Sequence, residues 1–256
     1  MTLVVAIDTA TEAIALGIAR VGEAGSTLLA GGFELAPRQA NSRILPLLRE
    51  KLEACGQRPE DVGIVVVGLG PGSFTGVRIG VAAAKGVAHG LGVPLAGVGT
   101  LDAIAWRQAG HDGIVGVVGD AMRSEVYPAL FRVCGGRVER LGTDRVSAPE
   151  DAAAEWAVSV DEPVLLTGNG LKKHGDVFRE ALGEHAVVAP EEMWWPSGEG
   201  LVSAYLALSA GLRAGGDPGA VLPVYTRLSD AEEAERERLG LTHVLPDTGV
   251  FGEERT

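Results

Sequence analysis

Leu3-Val4-Val5-Ala6-Ile7-Asp8 and, later in the chain, Ile114-Val115-Gly116-Val117-Val118-Gly119-Asp120 are two apolar runs rich in β-branched residues, and each stops on an aspartate. Both runs lead into the same succession of elements. After Asp8 the turn Thr9-Ala10-Thr11-Glu12 leads into a second run, Ala13 to Ala19, and a third, Thr27 to Glu34, which read together as an antiparallel meander. After Asp120 the runs are Glu125 to Val133 and, across the hairpin signal Gly135-Gly136, Arg137 to Leu141. Beyond each meander the period changes. Ala40, Ile44, Leu47, Leu48 and Leu52 recur at helical spacing, with Pro46 expected to kink or delay that helix. The wholly apolar Ile64 to Val67 suits a central strand covered on both faces. A helix over Thr75 to His89, a strand over Pro94 to Val98 and a helix from the N-cap residue Thr100 complete the first half. In the second half a helix is expected over Pro149 to Val158, a strand over Pro163 to Thr167, a helix over Leu171 to Leu182, and a last helix from Glu199 to Arg213 after Ser197.

Three strands, helix, strand, helix, stated twice, predicts an α/β protein of two related domains, each a mixed sheet flanked by helices. The expected boundaries are 1–107 for the N-terminal domain and 108–215 for the C-terminal one. Residues 216–228 could return to complete the first, and 229–256 read as a charged, disordered tail. The layout resembles the actin-like and sugar-kinase superfamily, whose members hold ATP between two such domains.

Composition limits what this framework can bind. The chain has 256 residues, 46% hydrophobic and only 5% aromatic, so its core is built from Val, Leu, Ile and Ala. Its net charge is −12 and its basic residues are scattered; the longest charged run, from Asp230 to Arg238, is mostly acidic. Independent grip on nucleic acid needs clustered Lys and Arg to neutralise phosphates, so direct, independent RNA binding is not expected. Cys55 and Cys134 form neither a metal pattern nor a disulfide framework. The N-terminus is too short and acidic for a signal peptide and no stretch has the length of a membrane span, which places the chain in the cytoplasm by default.

The segment Gly68-Leu69-Gly70-Pro71-Gly72-Ser73-Phe74-Thr75-Gly76 leaves a strand and opens a helix, a context in which free N–H groups can hold an anion. It fits neither nucleotide motif. Gly72 and Gly76 enclose three residues and Val77 comes next, where a P-loop has four and then Lys. A dinucleotide fingerprint wants Gly or Ala at Thr75 and an acidic residue near Ala96, Gly97 or Val98. The helix itself carries Gly76, Gly80 and Ala84 at i, i+4 and i+8, with Ala83 and Val87 alongside, so one face lacks bulk. Such a face lets another backbone approach closely: either that of its own sheet, or a helix of a second protein. Glycines inside a helix cost about 0.5–1 kcal/mol each relative to Ala, so some contact should offset them.

Gly70-Pro71-Gly72-Ser73-Phe74-Thr75-Gly76-Val77-Arg78-Ile79-Gly80, followed by Gly97-Val98-Gly99-Thr100-Leu101-Asp102-Ala103-Ile104-Ala105, resembles the signature of the bacterial TsaB family. Val4 to Thr11, Asp120 to Tyr127 and Pro223-Val224-Tyr225-Thr226-Arg227 match as well, so the resemblance runs from residue 3 to about 238. It implies a non-catalytic subunit of the actin-like superfamily. Such subunits support TsaD, which transfers a threonylcarbamoyl group to N6 of the adenosine beside the tRNA anticodon, alongside the small ATPase TsaE; TsaC-type enzymes supply the adenylate. It also implies that the helices at 40–55 and 75–90 meet TsaD or a second TsaB copy, with Ile44, Leu47, Leu48, Gly76, Gly80, Ala83, Ala84 and Val87 as the interface. Where the family often carries His, this chain has Ala40, ahead of Asn41-Ser42.

The residues that would perform nucleotide chemistry are poorly equipped for it. Asp8 is followed by Thr9-Ala10-Thr11-Glu12, with no Gly and with a carboxylate that repels phosphate; the second loop, Asp120 to Ser124, also lacks Gly. Gly168 and Gly170 flank Asn169 in what could be an adenosine-side loop or a plain turn. The five histidines are dispersed and form no metal motif, and Ser73 and Thr75, outside any Gly-x-Ser-x-Gly elbow, suit helix capping. Trp194-Trp195 suits packing between domains. No cofactor or metal is expected. The alternative is a stand-alone nucleotide hydrolase or kinase using Asp8 and Asp120 across the interdomain cleft.

Overall fold

The structure is a computed structural model that describes residues 1–23 and 25–226, together with Arg238. The first sheet comprises β1 (Thr2–Asp8), β2 (Ala13–Gly22), β3 (Gly25–Ala30), β4 (Phe33–Leu35), β5 (Val62–Gly68) and β6 (Leu95–Val98). Its order is β3-β2-β1-β5-β6, with β4 also on β2. The second comprises β7 (Gly113–Asp120), β8 (Val126–Cys134), β9 (Arg137–Arg140), β10 (Val164–Thr167) and β11 (Ala186–Val188), ordered β11-β10-β7-β8-β9. Read from the meander inward, the two sheets have the same order. In each, the leading strand pairs antiparallel with its meander neighbour and parallel with the later strand. The leading strands are apolar on both faces because helices cover both.

Seven helices surround the sheets among the described residues: α1 (Ala40–Ala54), α2 (Phe74–Leu91), α3 (Thr100–Trp106), α4 (Pro149–Ser159), α5 (Leu171–Leu182), α6 (Gly198–Ala207) and α7 (Ala210–Arg213). α1 and α2 lie on one face of the first sheet, sharing a core with Val5, Ile7, Val65 and Val67. α4 and α5 cover the corresponding face of the second, where Trp156 stacks against Phe178 at 5.1 Å. The remaining faces meet in the middle of the molecule. α3 puts Leu101, Ile104 and Ala105 into the core of the second sheet, although it comes after the last strand of the first. α6 puts Leu201, Val202, Ala204 and Tyr205 against Val4, Ala6 and Val66 of the first sheet, although it comes after the last strand of the second.

Several elements differ from the sequence reading. The third run divides at Gly31-Gly32 into β3 and β4, because the amide and carbonyl of Gly32 bond to Glu199 and Gly198 at the start of α6. α1 runs through Pro46, and the last helix breaks into α6 and α7. The short strand β11 had no periodicity to announce it. Helix 198–207, expected with 108–215, packs on the first sheet, and residues 216–226 also return there: Gly216 pairs with Leu95, and the amide of Val224 donates to the carbonyl of Leu69. The expected tail at 229–256 lies outside the described residues apart from Arg238.

Candidate functional site

Asp8 closes β1 in a fully buried position and does not face the cleft. Its Oδ2 accepts from the Thr100 hydroxyl at 2.6 Å and its Oδ1 from the amide of Ala10 at 2.6 Å. The same Thr100 hydroxyl accepts from the amide of Gly70, so one carboxylate ties β1, the Gly-rich loop and α3 together. Burial pushes its carboxyl up to about 6, against the opposing effect of these two hydrogen bonds. A nucleophile or metal ligand must be reachable, and this group is not. The reading of Asp8 as a cleft residue is corrected.

The Gly-rich signature owes its glycines to the same junction. A Cβ on Gly72 would lie 2.3 Å from the carbonyl oxygen of Ala10, one on Gly76 2.2 Å from that of Thr9, and one on Gly80 2.5 Å from the Thr9 hydroxyl. The Thr9 hydroxyl donates to the carbonyl of Gly76 at 2.7 Å, and the amide of Ser73 donates to the carbonyl of Ala10. Ser73 caps α2 by accepting from the amide of Gly76. The β1–β2 turn, where a phosphate loop would stand, is thus pressed against the first turns of α2. The bulk-free face faces inward.

That corrects most of the expected partner interface. Gly80 and Ala84 are buried, Gly76 is half-buried beneath Thr9, and Ile44 and Leu47 belong to the core, while Leu48, also largely buried, lines the groove between α1 and α2. Ala83 and Val87 are half-buried and remain at the surface. Periodicity identified the apolar sides of both helices, and these turn inward. On the outward side Leu45 is 50% exposed, and a Cβ on Gly86 or Gly90 would meet nothing within 4 Å. Together with Arg49, Val87 and Leu91 these residues line an apolar groove of about 370 Å³ between α1 and α2.

The interdomain cleft, about 540 Å³, is lined by Thr11, Glu12, Arg38, Asp120, Asn169 and Lys173, among others. Asp120 reaches it, but its Oδ2 is held by Lys173 at 2.6 Å and its Oδ1 accepts from the amide of Met122. Glu12 faces Lys172 at 3.9 Å across the cleft. Asp120 is thus paired by Lys173, whereas Glu12 and Lys172 make only a solvent-exposed contact. Gly168 and Gly170 sit against the carbonyl of Val118, with Cβ positions 2.4 and 2.8 Å from it, so packing on β7 accounts for both. Asn169 accepts from the amide of Asp120. Among the described residues no group of three or more His, Cys, Asp or Glu could hold a metal ion. No described helix is long and apolar enough to cross a membrane. Trp195 is buried, and half-buried Trp194 packs against both cores of the second sheet while its indole N–H donates to the carbonyl of Ala189.

Two mixed sheets of matching order, with paired helices between them and a cleft at the ends of the leading strands, define a protein of the actin-like α/β class. The family model of TsaD, tRNA N6-adenosine threonylcarbamoyltransferase, matches residues 30–234. The tRNA threonylcarbamoyladenosine biosynthesis protein TsaB of Bacillus subtilis is 30% identical over 232 residues, covering 90% of this chain and 96% of that protein. TsaB of Escherichia coli is 39% identical over 201 residues, covering 74% and 83%. The structure of YeaZ from Pseudomonas aeruginosa superposes with a TM-score of 0.71 at 28% identity, over 88% of this chain and 100% of that one. The chain belongs to the TsaB family of tRNA threonylcarbamoyladenosine biosynthesis proteins.

Proposed function

We propose that this chain is a non-catalytic subunit in the formation of N6-threonylcarbamoyladenosine beside the tRNA anticodon, and that it supports a TsaD-like catalytic subunit through the outward groove between α1 and α2. The observation that carries the reading is the state of the nucleotide site. Its first loop is packed against α2, its first aspartate is buried, and its second is held by Lys173. The groove supplies the complementary argument. Leu45, Gly86 and Gly90 leave apolar surface and close backbone access on helices whose inner faces are already full. A partner of similar fold suits it, as does a second copy of the chain. The TsaE-like ATPase and the tRNA are engaged in the assembled complex, in keeping with the acidic charge, and the setting is cytoplasmic. The stand-alone hydrolase or kinase is the weaker reading, since Asp8 is buried and Asp120 is held by Lys173.

The test is co-purification of the TsaD-like subunit from the same organism with Leu45→Glu and Gly86→Trp variants. Both are expected to lose the complex with an unchanged circular dichroism spectrum. A complex that survives both changes would show that the groove is not the contact. Turnover of ATP by the isolated chain, abolished by Lys173→Ala, would instead favour the hydrolase.

A further inference from the structure

We infer that the pocket around Arg107 binds a small organic monocarboxylate. The Nε and Nη2 edge of the guanidinium takes the carboxylate, and Phe33 and Trp106 cover the apolar part of the ligand. The pocket, about 450 Å³, opens where α3 ends beside the first turns of α6, and Glu199 and Ser203 also line it. It shares no lining residue with the interdomain cleft or with the groove between α1 and α2. Close contact of two helices sets the arginine in place. A Cβ on Gly200 would fall 2.1 Å from the carbonyl oxygen of Ala103 and 3.1 Å from the Cγ of Arg107, so α6 presses on the end of α3 and on the stem of this side chain. Its Nη1 donates to the carbonyls of Glu192 at 2.6 Å and Trp195 at 2.8 Å. Those two bonds fix the plane of a half-buried guanidinium, 5.4 Å from the ring centre of Phe33.

The other edge of Arg107 is the one that recognises carboxylates elsewhere in this chain. Arg43 clasps Glu34 with Nε and Nη2 at 2.9 and 3.1 Å, and Arg140 clasps Asp102 with the same pair at 3.2 and 2.7 Å. Both direct Nη1 to a different acceptor, Glu50 and Asp144 respectively. Arg107 has its Nη1 anchored in the same way, but its Nε and Nη2 bond to nothing among the described residues. Two parallel N–H donors match the two oxygens of a carboxylate. Burial disfavours the charge on Arg107 and lowers its pKa, and Glu199 and Glu192 oppose this only from a distance. A bound anion would relieve that cost. The same two glutamates disfavour a second negative charge on the ligand, which selects a monocarboxylate over a phosphate dianion. The half-buried rings of Phe33 and Trp106 then favour an apolar or aromatic body behind the carboxylate.

The test is NMR of the arginine Nε–H and tryptophan indole N–H groups in the isotopically labelled full chain, titrated with benzoate. Millimolar benzoate should shift the Arg107 and Trp106 signals saturably, while benzyl alcohol leaves them in place. Arg107→Lys keeps the charge but not the fork, and should weaken the binding, followed at Trp106, by about tenfold. Ser203→Trp leaves Arg107 intact and fills the pocket from its opposite wall, and should abolish the shift with an unchanged circular dichroism spectrum. The inference fails if benzoate gives no saturable shift, or if the shift persists in Ser203→Trp. Equal binding of benzyl alcohol would remove the carboxylate from it, and tighter binding of inorganic phosphate would overturn the choice of a monocarboxylate.

Discussion

Replacing Asp8 by Asn should change how the protein's stability depends on pH, and the change can be worked out in advance. In the folded chain burial raises the carboxyl from 3.8 to about 6. A proton therefore binds more tightly to the native state than to the unfolded one, and the contribution is fully present below the unfolded value. It is lost as pH rises through the window between 3.8 and about 6. At about 1.4 kcal/mol per tenfold change in proton affinity, that interval is worth about 3 kcal/mol. The group is fully buried, so solvent screening takes little from the figure. Asparagine does not titrate. Its amide can accept from the Ala10 amide, while its NH2 must face a Thr100 hydroxyl already accepting from Gly70, which sets a constant offset. Other carboxylates titrate in both proteins and cancel in the difference. The assay is urea unfolding of both proteins at intervals from about pH 3.5 to about pH 7. The stability of the native protein relative to Asp8→Asn should fall by about 3 kcal/mol across that range. A flat difference, or one that rises with pH, would refute the argument that desolvation outweighs the two hydrogen bonds.

The two kinds of glycine on α2 should separate cleanly. Gly80→Val, whose Cβ would sit 2.5 Å from the Thr9 hydroxyl, should destabilise the isolated chain by about 1–3 kcal/mol in urea unfolding. Gly86→Ala, with open space around it, should leave it unchanged or more stable by about 0.5–1 kcal/mol in the same assay. Arg140→Met abandons two carboxylates, one of them in a deeply buried position, and should cost about 3–5 kcal/mol, read as a lower midpoint of thermal or urea unfolding. Ile44→Ala, in the core and 1% exposed, should cost about 2–5 kcal/mol by the same measure, whereas an interface residue would cost the free chain little.

The comparison of sequence with structure turns on what each pattern encodes. Alternating and continuous apolar runs state how many faces of an element are covered, and the leading strands were legible for that reason. Helical spacing in α1 and α2 likewise identified both elements and their apolar sides. Reading Gly76, Gly80 and Ala84 as a partner face went wrong because a missing side chain shows that something approaches closely without saying what. For Gly76 and Gly80 the neighbour is Thr9, far off in the chain and carrying no pattern of its own. The outward groove at Leu45, Gly86 and Gly90 had a signal, since glycines unexplained by internal packing remain to be explained by something outside. That subtraction needs coordinates. The buried ion-pair cluster of Arg140 with Asp102 and Asp144 joins β9 and the loop after it to α3, and only its Arg140–Asp144 half is local in sequence.

What the chain's order of residues determined by itself was the duplicated plan and the family signature, because these rest on local periodicity and on glycine placement. What only the tertiary structure decided was direction: which side of α2 is sealed, that Asp8 is buried and does not line the cleft, and that α3 and α6 each lie on the sheet of the other lobe. Direction depends on which distant segment arrives to cover a surface, and several arrivals satisfy the same apolar pattern until packing density selects one.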